Sequence, residues 1–155
     1  MDKLFYYDTN IGRIGIREDG EYITNIYFGE QNLDIEIKET DLIKKAYIQL
    51  DEYISGNRTE FDLPLKPKGT EFQSKVWLEL TKIPYGETKS YKDIAIAVGN
   101  EKASRAVGMA NNKNPIPIII PCHRVIGSNK KLVGYAGGLD LKEKLLKIEG
   151  VIKDK

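Results

Sequence analysis

Residues 114–127 of this 155-residue chain are NPIPIIIPCHRVIG, and no other stretch restricts the fold so tightly. Pro115, Pro117 and Pro121 each lack a backbone donor, so the stretch can be neither a central strand nor a helix interior. Its isoleucines, Ile116, Ile118, Ile119 and Ile120, demand burial all the same. The expectation is an extended, rigid, buried segment with few ladder bonds, which holds its C-terminal end in a fixed place. At that end stands the only cysteine of the chain, Cys122, and beside it the only histidine, His123.

That pair bounds the chemistry. One cysteine makes no internal disulfide, and one Cys with one His does not make an ordinary structural zinc site. An unperturbed thiol, with a pKa of about 8.5, is mostly protonated at neutral pH, but a neighbouring imidazole or a helix N-terminus activates it. If the segment is extended, adjacent side chains diverge. Cys122 and His123 then communicate through a bridging water, unless a helical turn forms there. The imidazole needs an orienting acceptor. Glu149 is the candidate, because it falls in the last turn of a helix, where the macrodipole disfavours a carboxylate. Taken singly, Cys122 is ordinarily a small core hydrophobe, His123 a satisfied core histidine and Glu149 a solvated surface group. The adjacency, the proline frame and the following Arg124 argue for chemistry.

The rest of the chain divides in two. Residues 3–7 and 12–18 are expected to form a β-hairpin about the turn TNIG, and 22–28 a third strand. Residues 41–55 carry Ile43, Ala46, Tyr47, Leu50, Tyr53 and Ile54 on one helical stripe. LPLKPKG (63–69) is the expected boundary, giving domains 1–66 and 67–155. Helices dominate the second. Thr70 and Gln73 have capping-box spacing. IPYGE (83–87) breaks that helix, and Ser90 with Asp93 starts the next, which stops at Gly99. Asn100 is expected to cap a further helix running to about Asn111. Two short helices separated by GNE fit a helix-turn-helix, whose second helix commonly meets DNA. A last helix is expected from Asp140, packing through Leu141, Leu145 and Ile148.

Charge follows the same division. Residues 1–74 hold 9 Lys and Arg against 15 Asp and Glu, a net of −6, and residues 75–155 hold 15 against 8, a net of +7. The basic half implies a polyanionic partner, although charge alone does not choose among DNA, RNA and lipid. No apolar run approaches the roughly 20 residues of a membrane span. MDKLFYYDTN lacks the apolar core of a signal peptide, so the expected location is the cytoplasm.

PCHRV (121–125) resembles the active-site signature of the O6-alkylguanine-DNA alkyltransferases, the methylated-DNA–protein-cysteine methyltransferases. The similarity continues through FQSKVW (72–77), IPYGETKSY (83–91), ASRAVG (103–108), GYAGGL (134–139) and LLKIEG (145–150), about half of the chain. It implies an α+β protein, with a small antiparallel β-sheet and a helix (ribonuclease H-like) followed by a mainly helical domain with a helix-turn-helix. The implied activity is flipping of O6-alkylguanine, with O4-alkylthymine as a second substrate, out of duplex DNA. The alkyl group passes irreversibly to Cys122, once per molecule. The resemblance makes Cys122 the nucleophile, His123 a base acting through water, Glu149 the group that orients it and Asn114 the brace of the active-site turn. Tyr91, Val125, Tyr135, Ala136 and Lys142 would contact the base. Arg105 would fill the gap left by the extruded nucleotide, and Lys92, Asn100 and Ser128 would hold the DNA backbone. No cofactor and no metal are implied, and the expected state is a monomer on double-stranded DNA. A cysteine hydrolase with a Cys-His-Glu triad, or a non-catalytic sensor of alkylated DNA, would share part of this pattern. The first would turn over without DNA, and the second would keep its thiol.

Overall fold

The computed structural model describes residues 1–127, 135 and 137–153, which form two compact units, Met1–Lys68 and Gly69–Lys155. In the first unit β1 (Lys3–Thr9) and β2 (Gly12–Glu18) make the hairpin, and β3 (Ile23–Phe28) pairs antiparallel with β2. A fourth strand, β4 (Glu36–Ile37), adds to β1 in parallel, so the sheet order is β3-β2-β1-β4. The expected three-stranded antiparallel sheet is thus one short strand too small. Two residues carry no alternation, and a Lys3–Glu36 ion pair of 3.0 Å helps hold them in place. Gly15 is required on β2, because a Cβ there would stand 2.8 Å from the Tyr6 ring.

Helix α1 (Asp41–Ile54) starts at Thr40, whose hydroxyl accepts from the Ile43 amide. That bond satisfies one of the orphan donors of the first turn. Ile43, Ala46, Leu50 and Tyr53 form its buried stripe, against a sheet that buries Leu4, Ile14, Ile16 and Ile26.

The second unit opens with α2 (Glu71–Leu80), on which both reciprocal bonds of the Thr70–Gln73 capping box form. Trp77 lies buried on α2, and its indole donates to the Ala110 carbonyl at 2.8 Å. Strand β5 (Lys89–Ser90) leads directly into α3 (Tyr91–Ala97), capped by the reciprocal Ser90–Asp93 bonds. Then come α4 (Ser104–Asn112), a 3₁₀ turn at Cys122–Arg124, β6 (Val125–Ile126) and α5 (Leu139–Ile148). Among the described residues, no helix is long and apolar enough to cross a membrane.

Three local expectations are corrected by the structure. Asn100 does not cap α4. Its side chain accepts from the Lys102 amide at 3.1 Å and its carbonyl from the Ala103 amide, while Ala103 sits at the N-cap without a side-chain bond. An Asx turn competes for the same oxygen that a cap would use. On α5, Leu146 rather than Ile148 is buried beside Leu141 and Leu145. The proline segment is curled, not extended. The Ile120 amide bonds the Ile116 carbonyl at 2.9 Å, and Ile118 sits at φ 74°, the one non-glycine residue with positive φ among the described residues.

Candidate functional site

The curled segment owes its shape to Asn114. Its side-chain nitrogen donates to the Ile120 carbonyl at 2.7 Å, and its oxygen accepts from the Ile116 amide at 3.0 Å. One buried amide thus satisfies both ends of a loop that prolines deprive of ladder bonds. The loop feeds the 3₁₀ turn, closed by the Arg124 amide on the Pro121 carbonyl at 3.0 Å. The side chains of Cys122 and His123 therefore do not alternate as they would along a strand. Asn111, near the end of α4, donates to the Cys122 carbonyl at 3.2 Å and ties the turn to that helix.

Cys122 is 2 % exposed. Burial pushes its thiol above the ordinary value. Hydrogen bonds from the Asn114 and Tyr135 side chains and the charge of Lys142 oppose that rise without cancelling it. The side chain of Tyr135 thus reaches the thiol. His123 is fully buried, and burial lowers its pKa against the opposing pull of Glu149. The structure therefore holds a protonated thiol beside a neutral imidazole, rather than a preformed thiolate–imidazolium pair.

Glu149 is not a solvated surface group. It is the C-cap residue of α5, and four donors converge on its carboxylate. The Gly86 amide at 3.1 Å and Arg124 Nε at 2.8 Å reach Oε1, and His123 Nε2 at 2.6 Å and Arg124 Nη2 at 3.1 Å reach Oε2. These fill the lone-pair positions a carboxylate offers. An unprotonated carboxylate requires the proton on His123 Nε2, which leaves Nδ1 as the basic nitrogen. The loop 83–87 that interrupts the helices supplies further contacts. The Ile83 carbonyl accepts from Arg124 Nη1 at 2.7 Å, and the Tyr85 hydroxyl donates to the Ile148 carbonyl at 3.1 Å.

Lys142 is fully buried on α5, and its ammonium donates to the Val125 carbonyl at 2.6 Å. Burial lowers its pKa to about 8, against the pull of Cys122. Strand β5 runs parallel to β6, pairing Lys89 with Val125 and Ser90 with Ile126, which sets Tyr91 at the start of α3 beside this group. The Tyr91 ring lies 6.0 Å from Lys142 Nζ, and burial with the nearby Cys122 raises the phenol's pKa. Gly108 on α4 faces that ring, and a Cβ there would meet it at an ordinary contact distance of 3.8 Å.

Cys122, His123, Glu149, Asn114, Tyr91, Val125, Tyr135 and Lys142 are thus brought into one cluster. Arg105 in the first turn of α4, Lys92 in the first turn of α3 and Asn100 between the two helices are exposed and stand outside it. Ser128 and Ala136 lie outside the described residues. Among the described residues, no group of three or more His, Cys, Asp or Glu could hold a metal. From the sequence, Arg124 counted among the signs of chemistry but was given no partner, and Gly86 and Asn111 were given no role. The signal for Arg124 was present in its place directly after His123.

A helical unit with a basic sequence and a buried cysteine–histidine–carboxylate group has the parts of a protein that reacts through a thiol on a polyanionic partner. Comparison makes this specific. Residues 71–151 match the DNA-binding domain of 6-O-methylguanine DNA methyltransferase, and residues 4–67 match the ribonuclease-like domain of the same protein. The methylated-DNA–protein-cysteine methyltransferase of Methanosarcina acetivorans is 50% identical over 149 residues, covering 93% of this chain and 96% of its own. The constitutive enzyme of Bacillus subtilis is 47% identical over 153 residues, covering 93% of each. The crystal structure of Mycobacterium tuberculosis OGT in complex with DNA superposes with a TM-score of 0.90 at 44% identity, over 95% of this chain and 92% of that one. The chain belongs to the 6-O-methylguanine DNA methyltransferase family, the methylated-DNA–protein-cysteine methyltransferases. That activity moves an alkyl group from DNA to a cysteine of the protein, and this chain has a single cysteine to offer.

Proposed function

We propose that the protein, as a monomer, extrudes O6-alkylguanine from duplex DNA and takes the alkyl group onto Cys122 Sγ, once per molecule. O4-alkylthymine presents a similar alkoxy carbon and is the second substrate of this reading. The observation that carries it is the buried cluster of Cys122, His123 and Glu149, braced by Asn114 and facing Tyr91 and Lys142. In the transfer, the bond from the alkyl carbon to O6 breaks and an S–C bond forms. The thiol proton passes through water to His123 Nδ1, and an equivalent proton returns to N1 of the dealkylated guanine, which stays in the DNA strand. Glu149 holds the imidazole in its Nε2–H form. Asn114 fixes the turn, and Tyr91, Tyr135, Lys142 and the Val125 carbonyl meet the extruded base.

An alkyl group on O6 is inside the base stack, and flipping the nucleotide out costs a few kcal/mol. Arg105, exposed on α4, takes the vacated space. Small residues on that helix (Ala106 and Gly108) suit close approach to a minor groove, whereas Ala110 is buried against Trp77. Lys92, Asn100 and Ser128 hold the phosphates, and Ala136 contributes its amide to the base edge.

Intact-protein mass spectrometry after mixing with excess DNA containing O6-methylguanine tests this reading. One methyl mass on Cys122 and one lesion repaired per molecule are expected. Sustained turnover would favour a hydrolase, and lesion binding without a mass change would favour a sensor. Arg105→Ala should slow repair of duplex far more than reaction with a free alkylated base. Equal losses would remove Arg105 from the flipping step.

A further inference from the structure

The Glu149 carboxylate is buried with three polar neighbours of different kinds: an imidazole, a backbone amide and a guanidinium. The guanidinium reaches both of its oxygens, at 2.8 and 3.1 Å, and spends its remaining arm on the Ile83 carbonyl at 2.7 Å. Such a fork fixes orientation as well as charge. Arg124 is 7% exposed, its guanidinium lies 5.7 Å from the centre of the Tyr85 ring, and its carboxylate partner is Glu149. Arg124 is therefore committed to Glu149.

We propose that Arg124 is a positioning residue of the alkyl transfer: its guanidinium completes the donor set of Glu149 and balances the carboxylate's charge, so that His123 remains a neutral imidazole with Nδ1 as its basic nitrogen. The proposal rests on the reading of Cys122 as the alkyl acceptor.

The charges within the Arg124–Glu149–His123 group can be counted. With Arg124 present, one positive and one negative charge balance, and His123 adds none. Without the guanidinium, the carboxylate is uncompensated in a low-dielectric site. Its cheapest remedy is a proton, held by the His123–Glu149 pair. A pair that already holds this proton cannot take the one from Cys122. The imidazole is faced by charged and titratable groups from several elements. Cys122 and Arg124 lie on its own turn, and Lys142 and Glu149 come from α5. Tyr85 from the loop 83–87 abuts Arg124 and Glu149, while Tyr91 from α3 and Tyr135 approach the thiol. The only positive charges in this set are Arg124 and Lys142. Lys142 donates to the Val125 carbonyl, not to Glu149, so it does not replace Arg124.

Single-turnover alkylation should be followed from about pH 4.5 to pH 9 for wild type, Arg124→Lys and Arg124→Gln, with DNA in excess. Arg124→Lys keeps the charge and loses the fork. Its rate should be lower at every pH, with an unchanged profile. Arg124→Gln loses the charge. Its acid limb should move up by at least about one pH unit, a further tenfold loss on that limb. Parallel profiles for wild type and Arg124→Gln would mean that Arg124 is only scaffold, and would overturn the proposal. An Arg124→Lys profile displaced like that of Arg124→Gln would also overturn it.

Should Arg124→Gln fail to fold, wild type still decides. The single histidine gives one set of ¹⁵N imidazole signals, assignable without mutagenesis. A neutral Nε2–H form from pH 7.5 down to 5.5 is expected, and an imidazolium or an Nδ1–H form at pH 7 would overturn the proposal. The parent reading is judged separately, by the methyl mass on wild-type Cys122 before any variant is compared.

Discussion

Replacing Glu149 by Gln tests how much of the second unit hangs on this one side chain. The amide can still accept from Gly86 and from Arg124 Nε with its oxygen. Its NH2 group then confronts His123 Nε2–H and Arg124 Nη2, where the carboxylate had accepted at 2.6 and 3.1 Å. The Arg124 charge is left buried without its counter-charge. Both partners are largely dry, with side chains 8% and 0% exposed, so solvent screening does little to soften the loss. Removing one partner of a buried pair costs about 3–5 kcal/mol. For a chain of this size, each kcal/mol lowers Tm by about 2–4 °C, which gives a fall of about 6–20 °C. The assay has a built-in reporter, because the only tryptophan is Trp77 on α2 in the same unit. Urea or thermal unfolding followed by its fluorescence reports residues 69–155. Glu149→Gln should lower stability by the amount above, whereas the double variant Glu149→Leu/Arg124→Leu, which removes both charges, should recover much of it. A Glu149→Gln protein within about 1 kcal/mol of wild type would refute the reasoning, since that is the centre of the range for point substitutions in general.

The burial that raises the Cys122 pKa makes the thiol slow with small alkylating reagents at neutral pH. Its rate should climb only above the ordinary thiol value of about 8.5, and a flat, fast rate from pH 6 to 8 would indicate a preformed thiolate. The depressed His123 pKa implies that the folded state binds fewer protons than the unfolded one just below about 6.5. Stability should therefore fall with decreasing pH there, and His123→Phe should flatten that slope in urea titrations. Ile118 and Ile120 are both buried, but only Ile118 has positive φ. Ile118→Gly should be milder than Ile120→Gly by about the 1–3 kcal/mol that such strain costs, and equal losses in Trp77-monitored unfolding would remove strain from the account. Affinity for undamaged duplex should fall steeply with salt. Lys92→Gln should reduce that slope and Lys38→Gln leave it unchanged, and identical slopes would make α3 an ordinary solvated face.

What was legible in the sequence is what is local. The hairpin, the α1 stripe and both capping boxes depend on residues within one or two turns of each other, and they formed where periodicity and cap spacing placed them. Strand β4 was not legible, because two residues carry no period and their pairing with Lys3 and Leu4 is made across the sheet. Asn100 failed as a cap because the same side-chain oxygen serves an Asx turn as readily. The curl of residues 116–120 depends on the Asn114 side chain and on a β-branched residue at positive φ, a choice that local propensity opposes. In the site, the Cys122–His123 adjacency and the odd place of Glu149 were visible. The donors that explain that place were not, since Gly86, Arg124 and Glu149 lie far apart in the chain and an arginine is ordinarily read as solvated.

A nucleophile that is used once has a problem that a turnover enzyme lacks: any electrophile that reaches it first ends the molecule's life. A thiolate held permanently beside an imidazolium would be open to that loss. The arrangement around Cys122 avoids it. The thiol is 2% exposed and held protonated by burial, and the neighbouring imidazole is neutral, with its Nε2 bound by a saturated carboxylate. Charge separation must therefore be created during the reaction rather than stored in the resting protein. On the proposed function, the groups that would stabilise it are already in place. Asn114 and Tyr135 donate to sulfur, and the Lys142 ammonium stands close enough to favour the thiolate. Their aim at the atom where charge develops is what makes such donors effective in a dry site. An extruded base that fills the space beside Tyr91 and Lys142 would shut out bulk solvent and place an alkyl carbon against the sulfur. Reactivity would then depend on the DNA lesion being seated, which restricts the single use to the substrate for which it is kept.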